Sequence, residues 1–337
     1  MASEKTVTVA GAGIIGLACA WELVRRGASV RVYEAARIGA GSSGGTVGAL
    51  APHAPENWND KKQVQLDALI AAEGWWADVA QAGGTDPGYA RTGRLQPVTA
   101  DTLPRLQGRI AQAERNWPQW AQMRLVRDPQ AALVPESPDG WWLLDNLTAR
   151  LNPRRALQSL AAAIRAGGGV IVEGQPAPES ADGPVIRATG VAGLAPFGGT
   201  GVKGQSALLR LDARDAPQIF ADGLHIVPHG DGTVGIGSTS ERDATDLATD
   251  AQLEALIDKA RRLCPPLAGA EVIDRWAGIR PRAKSRAPLV GPWPGKPGEF
   301  VANGGFKIGF GMAPAIAGMI ADLVLEGRDH IPPGFRP

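Results

Sequence analysis

Ten residues near the start of the chain, Val7-Thr8-Val9-Ala10-Gly11-Ala12-Gly13-Ile14-Ile15-Gly16, restrict what it can fold into more than any other stretch. A strand-like run meets a Gly-x-Gly-x-x-Gly turn. A helical run (Leu17, Ala18, Trp21, Leu23, Val24) follows and stops at Gly27. Arg31-Val32-Tyr33-Glu34 then reads as a second strand closed by an acid. This is the pattern of a strand–turn–helix that grips the pyrophosphate of a dinucleotide. Gly11 permits the tight turn, Gly13 lets backbone N–H groups approach phosphate, and Gly16 lets the helix pack close to the sheet. The helix N-terminus faces the anion. Glu34, near the roughly 20-residue spacing expected, offers its carboxylate to both ribose hydroxyls.

Composition sets the limits around this motif. A chain of 337 residues is long enough for two intertwined domains and a large core. Its net charge of +1 points away from nucleic acid and from an anionic membrane as main partner. Cys19 and Cys264 lie far apart with no metal-type spacing, so both read as small core residues of a reducing compartment, and no metal is expected. No signal peptide precedes the first strand, and the apolar stretch Met312 to Leu325 is too short to span a bilayer and contains Asp322. A soluble, cytoplasmic protein is the expectation.

Beyond the motif, Arg37 to Pro55 is a Gly-, Ser- and Ala-rich loop, and about 60 to 125 reads as mostly helical, interrupted by a strand at Thr92–Val98. Trp141–Leu144 is a further strand candidate. Asn152-Pro153 caps a helix that runs to Ala166 and stops at three glycines. Val170–Glu173 is expected as a third core strand and Val185–Gly190 as another, ending in glycine. Short alternating strands between 203 and 240 suggest an antiparallel sheet, Asp250–Leu263 an amphipathic helix, and Ala313–Leu325 a last helix. A plain nicotinamide dehydrogenase would continue in regular strand–helix alternation after Glu34. The order seen here instead suggests a discontinuous nucleotide domain (1–57, 150–200 and 270–337) wrapped around a substrate domain (58–149 and 201–269).

VAGAGIIGLACAWEL (9–23), GSSGGTVGALAPHA (41–54), RATGVAG (187–193), VKGQ (202–205), LHIVPH (224–229), VGIGST (234–239), WAGIRPR (276–282) and NGGFKIGFGMAP (303–314) together resemble the glycine oxidase and D-amino-acid oxidase group of flavoproteins, glycine oxidase more closely. The resemblance spans nearly the whole chain. It implies an α/β fold with a discontinuous Rossmann-like FAD-binding domain and a second, α+β substrate domain built on an antiparallel sheet. It also implies FAD as cofactor and oxidation of the C–N bond of a small amine or amino acid. Hydride would pass to flavin N5, leaving an imine, and molecular oxygen would reoxidise the flavin to give hydrogen peroxide. A homo-oligomer is compatible with the group.

The resemblance carries over to particular residues. Gly11, Gly13, Ile14, Ile15, Gly16, Glu34 and Ala35 belong to the dinucleotide grip. Ser42, Ser43, Val47, Gly48 and Ala49 lie on a segment running past the pyrophosphate toward the flavin ring, where small residues let backbone N–H groups form a nest for anionic oxygens. Ala177, with Glu173, falls near the adenine side. Gly305, Phe306, Lys307, Ile308, Gly309, Phe310 and Gly311 form the loop under the flavin. Pro314 is expected in the first turn of the helix that follows, whose dipole would stabilise negative charge on the reduced ring by about 0.3–2 kcal/mol.

Arg280, in WAGIRPR, is the expected partner of a substrate carboxylate, a task that suits a planar fork of donors and a permanent charge. Arg282 and Arg286 are candidates to widen that anion site. At His225 the group has a tyrosine, so an imidazole that changes charge near neutral pH is expected there to orient substrate. Lys307 stands where glycine oxidase has an arginine near the pocket mouth. His53 is a candidate to line the flavin face or to carry a covalent link. Some of the ten tryptophans could form an aromatic pocket. Two other readings stay open on sequence: a dehydrogenase of the same fold passing electrons to a quinone or carrier protein, and a non-catalytic dinucleotide-binding protein.

Overall fold

In the computed structural model, which describes residues 6–242 and 246–337, six strands form one sheet in the order Leu289–Pro292, Glu299–Asn303, Val185–Arg187, Val7–Ala10, Val30–Glu34, Val170–Glu173. All neighbours run parallel except the first pair. The strand Val7–Ala10 is central, with later chain added on both its sides. The sheet therefore has its topological switch point at the end of that strand, and a crevice opens outside the carboxyl ends there. Helices Ile14–Arg25, Asp60–Gly83, Pro153–Ala166 and Gly309–Glu326 share the main apolar cluster with this sheet, the first and last of them packed against each other.

Nine strands form the second sheet. Thr200–Arg210, Thr233–Gly237, Leu224–Pro228 and Gln218–Ala221 follow one another antiparallel, and Arg94–Val98, Trp141–Asp145 and Met123–Val126 extend it. Glu241–Arg242 pairs with Thr200–Arg210 as well. Glu271–Arg282, drawn into the first unit from the sequence, is hydrogen-bonded along its whole length to Thr200–Arg210 in this second sheet. That pairing sets Arg280 opposite Val202 and Gly278 opposite Gly204.

Four expectations are corrected. Val170–Glu173 is an edge strand, not a core one: Val170 is 45% exposed because only Val30–Glu34 flanks it. Met123–Val126, within the stretch read as mostly helical, is a strand, because it finds a partner in Trp141–Asp145. The last helix begins at Gly309, as soon as the Met312 N–H reaches the Ile308 carbonyl, so Pro314 lies inside it rather than in its first turn. The same early start makes this helix 18 residues long, enough by length and composition to cross a membrane. Its face of Met312, Ala313, Ile316, Ala317, Ile320 and Ala321 is instead fully buried in the main cluster.

Candidate active site

A cavity of about 890 Å³ runs from the crevice of the first sheet to the inner face of the second. At one end, Gly11 has φ +102°, and a Cβ there would stand 2.5 Å from the Ala188 carbonyl oxygen, so only glycine fits. A Cβ on Gly16 would lie 1.9 Å from the Gly11 carbonyl. Gly16 thus lets the helix close on the turn without itself lining the cavity. Gly13 starts the helix with no side-chain cap and no acid in the first turn. The macrodipole there is left for an outside anion. The two Glu34 oxygens each accept one backbone N–H, from Ala12 at 2.9 Å and Ala36 at 3.1 Å. The carboxylate is thereby locked in place with lone pairs to spare.

The segment Ser42–Ala49 forms the next wall. Thr46, which the sequence did not single out, ties it to the second sheet. The Thr46 hydroxyl donates to Ser206 Oγ at 2.9 Å, and the Thr46 carbonyl lies 2.8 Å from the buried ring of His229. The Ile14 N–H donates to Ser43 Oγ at 3.0 Å, tying the segment to the helix start. Gly44 and Gly45 face the Trp276 ring: a Cβ on Gly45 would come within 3.2 Å of it. Opposite runs the loop Gly305–Gly311, ending in a second helix start without side-chain cap or acid. Asn303 anchors this loop by donating to the Gly190 carbonyl at 2.9 Å and accepting from Gly304 N at 2.8 Å.

At the far end, period-two alternation puts Trp276, Gly278 and Arg280 on one face of their strand. Trp276 folds over Gly278, where a Cβ would overlap its ring at 2.3 Å. The Arg280 guanidinium folds over Gly204, where a Cβ would stand 2.6 Å from Cζ. The guanidinium donates from Nη1 to Ser238 Oγ (2.5 Å) and from Nη2 to the carbonyls of Thr239 (2.8 Å) and Lys203 (3.2 Å). Its Nε–H is buried with no partner. Among the described residues no carboxylate pairs with it, and burial pushes its pKa down to about 10, so it stays charged at neutral pH. A buried cation that lines a cavity with no carboxylate partner among the described residues is suited to receive an anion.

His225, Phe220, Arg94 and Lys307 complete this end. The His225 ring packs on Phe220 at 4.7 Å, and its Nδ1 has no partner. Burial, reinforced by the charges of Arg94 and Lys307, pushes its pKa down to about 4. The expectation of a charge change near neutral pH is therefore corrected: the imidazole stays neutral there. Burial and the Arg280 charge likewise lower the Lys307 pKa. Among the described residues, Glu34 is the only acid that lines the cavity, and it sits at the opposite end.

The family of FAD dependent oxidoreductases known as DAO matches this chain over residues 6–323. The chain belongs to this family. A bifunctional protein ThiO/ThiG from Nostoc sp. is 28% identical over 356 residues, covering 96% of this chain and 53% of its own. This chain thus spans about half the length of the bifunctional relatives it matches. Glycine oxidase from Pseudomonas aeruginosa is 37% identical over 132 residues, covering 39% of this chain and 36% of its own. The crystal structure of glycine oxidase from Geobacillus kaustophilus superposes with a TM-score of 0.84 at 21% identity, covering 97% of this chain and 96% of that one.

As an FAD-dependent oxidoreductase, the chain has walls that fit its cofactor. The cradle at Gly11 that a Cβ would fill, two uncapped helix starts and a fixed carboxylate suit a pyrophosphate-linked dinucleotide. Apart from Gly16, the residues of the dinucleotide grip, the segment Ser42–Ala49 and the loop Gly305–Gly311 named from the sequence line this cavity with Ala177, as do Arg280, His225 and Lys307. His53 does not, nor do Glu173, Arg282 and Arg286. The Glu173 carboxylate instead accepts the Ile38 N–H at 2.7 Å. Of the ten tryptophans, Trp276 alone lines the cavity, so no pocket of tryptophans forms; Phe220, Phe306 and Phe310 are the other large aromatics on its substrate-side wall and ring loop. Gly204, Ser238 and Thr239 were missed as site residues. Their motifs were visible, but the register that brings them under Arg280 was not.

Proposed function

We propose that this chain oxidises the C–N bond of a small amino acid, with molecular oxygen as final acceptor and an imine and hydrogen peroxide as products. FAD, when bound, supplies the two-electron acceptor for the hydride leaving the substrate α-carbon. The residues suited to hold it are Gly11 to Ile15 at the pyrophosphate, Glu34 and Ala35 at the ribose, Ala177 toward the adenine, and Ser42–Ala49 with Gly305–Gly311 around the ring.

Arg280 carries the reading: its charge lies on the cavity wall and, among the described residues, has no carboxylate partner, which suits a substrate carboxylate. Fixing that carboxylate sets which C–H bond faces the loop Gly305–Gly311, and orientation of this kind supplies several kcal/mol. Neutral His225 lines the same end of the cavity, packed on Phe220. Among the described residues no acid lines this end to take a proton or to hold an ammonium, which favours an amine that enters uncharged. The name of the glycine oxidase relative supports the same substrate class.

A peroxide-coupled screen of glycine, sarcosine, D-amino acids and cyclic imino acids tests the reading, with Arg280→Ala run beside the parent. The variant is expected to lose about 2–5 kcal/mol in kcat/KM on carboxylated substrates, the scale of truncating one partner of a buried charge pair. Equal activity in both proteins removes Arg280 from the site. Dye reduction without peroxide turns the reading toward the dehydrogenase.

A further inference from the structure

Strand register leads along one face of the second sheet from Arg280 to a further cation. Arg280, Gly278 and Trp276 stand opposite Val202, Gly204 and Ser206. Ser206 stands opposite Gly237, Gly237 opposite His225, and His225 opposite Phe220. Period-two alternation puts Gln218 on the same side as Phe220, and Gln218 is paired with Arg94. Arg94 therefore shares its face with Arg280 and His225, and all three line the cavity. The Arg94 Nε–H donates at 3.0 Å to Asp145, which stands opposite it on the next strand. Its Nη1 and Nη2 have no hydrogen-bond partner among the described residues and are not sealed in the interior.

The charges at this end do not balance. Lys307 Nζ lies 5.8 Å from the centre of the Phe306 ring, which the Arg280 Cζ approaches to 5.5 Å. The charges of Lys307 and Arg94 both reach His225, between the two arginines on the sheet face. Asp145 offsets one of these cations from behind the wall, and among the described residues no acid lines this end. One substrate carboxylate on Arg280 would still leave excess positive charge in a partly desolvated recess, where an unpaired charge is costly. The geometry points to a second anion subsite: Arg94, through Nη1 and Nη2 and with Lys307 adding charge from the loop, receives a second carboxylate of the substrate. A dicarboxylic amino acid is thereby preferred over one whose further arm is uncharged. This rests on the reading of Arg280 as receptor of the first carboxylate.

The test is calorimetric titration of the FAD-loaded protein with malonate, succinate and glutarate, each beside its monoamide. Members of a pair have the same shape and differ by one charge, and the lengths sample the span from Arg280 to Arg94. At least one diacid should bind about tenfold to a hundredfold tighter than its monoamide, the scale of hydrogen bonds to a charged group. If no diacid is favoured by more than about threefold, the proposal is overturned. The double variant R94Q/D145N removes the cation without stranding the buried carboxylate, and there the preference should shrink to about threefold or less. A larger remaining preference overturns the assignment to Arg94. Should that variant not fold, judged by flavin absorbance and thermal midpoint, Arg94→Lys decides. It leaves a cation for Asp145 but no terminal pair of donors, so the preference should fall at least about threefold, and a smaller fall overturns the assignment. Peroxide-coupled kinetics then locate the second carboxylate. D-aspartate and D-glutamate against their amides report a side-chain group, and N-carboxymethylglycine against its monoamide reports one carried on nitrogen. Charge preference in none of these pairs overturns the proposal. Equal acetate affinity in the parent and Arg280→Ala would instead sink the receptor assignment, an outcome visible without any diacid.

Discussion

Replacing Gly204 by alanine isolates the seat of the Arg280 guanidinium without touching the arginine. The added Cβ would stand 2.6 Å from Cζ, 2.7 Å from Nη2 and 2.8 Å from Nη1. Relaxed carbon contacts lie at about 3.5–4.0 Å, so the guanidinium must retreat by roughly 1 Å. A retreat of that size carries the 3.2 Å bond to the Lys203 carbonyl beyond hydrogen-bonding range and strains the 2.8 Å bond to Thr239. The backbone at Gly204 does not lie in the left-handed region, and alanine suits a strand better than glycine, which offsets part of the overpacking. The cost thus falls on where the charge sits more than on the fold. A misplacement near 1 Å costs about a hundredfold in rate, or about 2.7 kcal/mol. The assay is kcat/KM for glycine beside FAD affinity and thermal midpoint. The expected result is a hundredfold loss in the first with the other two nearly unchanged. Parental kcat/KM in a folded, FAD-loaded Gly204→Ala protein would refute the inference that this guanidinium must occupy its observed seat for substrate to react.

Three further outcomes are expected. Gly11→Ala forces an L-residue to φ +102° with Cβ 2.5 Å from the Ala188 carbonyl, so FAD affinity measured by flavin fluorescence should fall by more than tenfold, about 1.4 kcal/mol. His225, with its folded pKa lowered to about 4 against about 6.5 unfolded, binds fewer protons folded than unfolded between those values. Stability is therefore lost as pH falls from about 6.5 to 4, by at most about 3 kcal/mol, and denaturant midpoints of His225→Gln should show a flatter decline over that window. Asp145 is fully buried, accepting from Arg94 Nε at 3.0 Å and Thr148 N at 2.8 Å, so Asp145→Asn should lower stability by about 3 kcal/mol in a urea titration.

Legibility differed between the two ends of the cavity for a physical reason. Gly11, Gly13, Glu34 and the loop Gly305–Gly311 act through backbone N–H groups and helix starts close to them in sequence, so local spacing announces their role. The seat of Arg280 draws on residues 203, 204, 238 and 239, which meet only because Thr200–Arg210 pairs on one side with Glu271–Arg282 and on the other with Thr233–Gly237. His225 shows the limit most plainly. Its presence in the site was readable, but its neutral state depends on burial and on Arg94 and Lys307, which arrive from distant segments. The early start of the last helix was hidden by Pro314, which reads as a first-turn residue although the helix begins before it.

The residues alone determined the dinucleotide grip, the alternation of helical and extended segments, and the presence of an arginine in a motif suited to carboxylates, because each is written in short-range spacing and side-chain chemistry. Strand register and burial decided the rest. They placed Glu271–Arg282 in the second sheet, left Val170–Glu173 at an edge, and gathered Trp276, Arg280, His225 and Lys307 around one cavity. Long-range pairing selects one register among many that the same local pattern allows, and desolvation acts on a side chain only after its neighbours have closed around it.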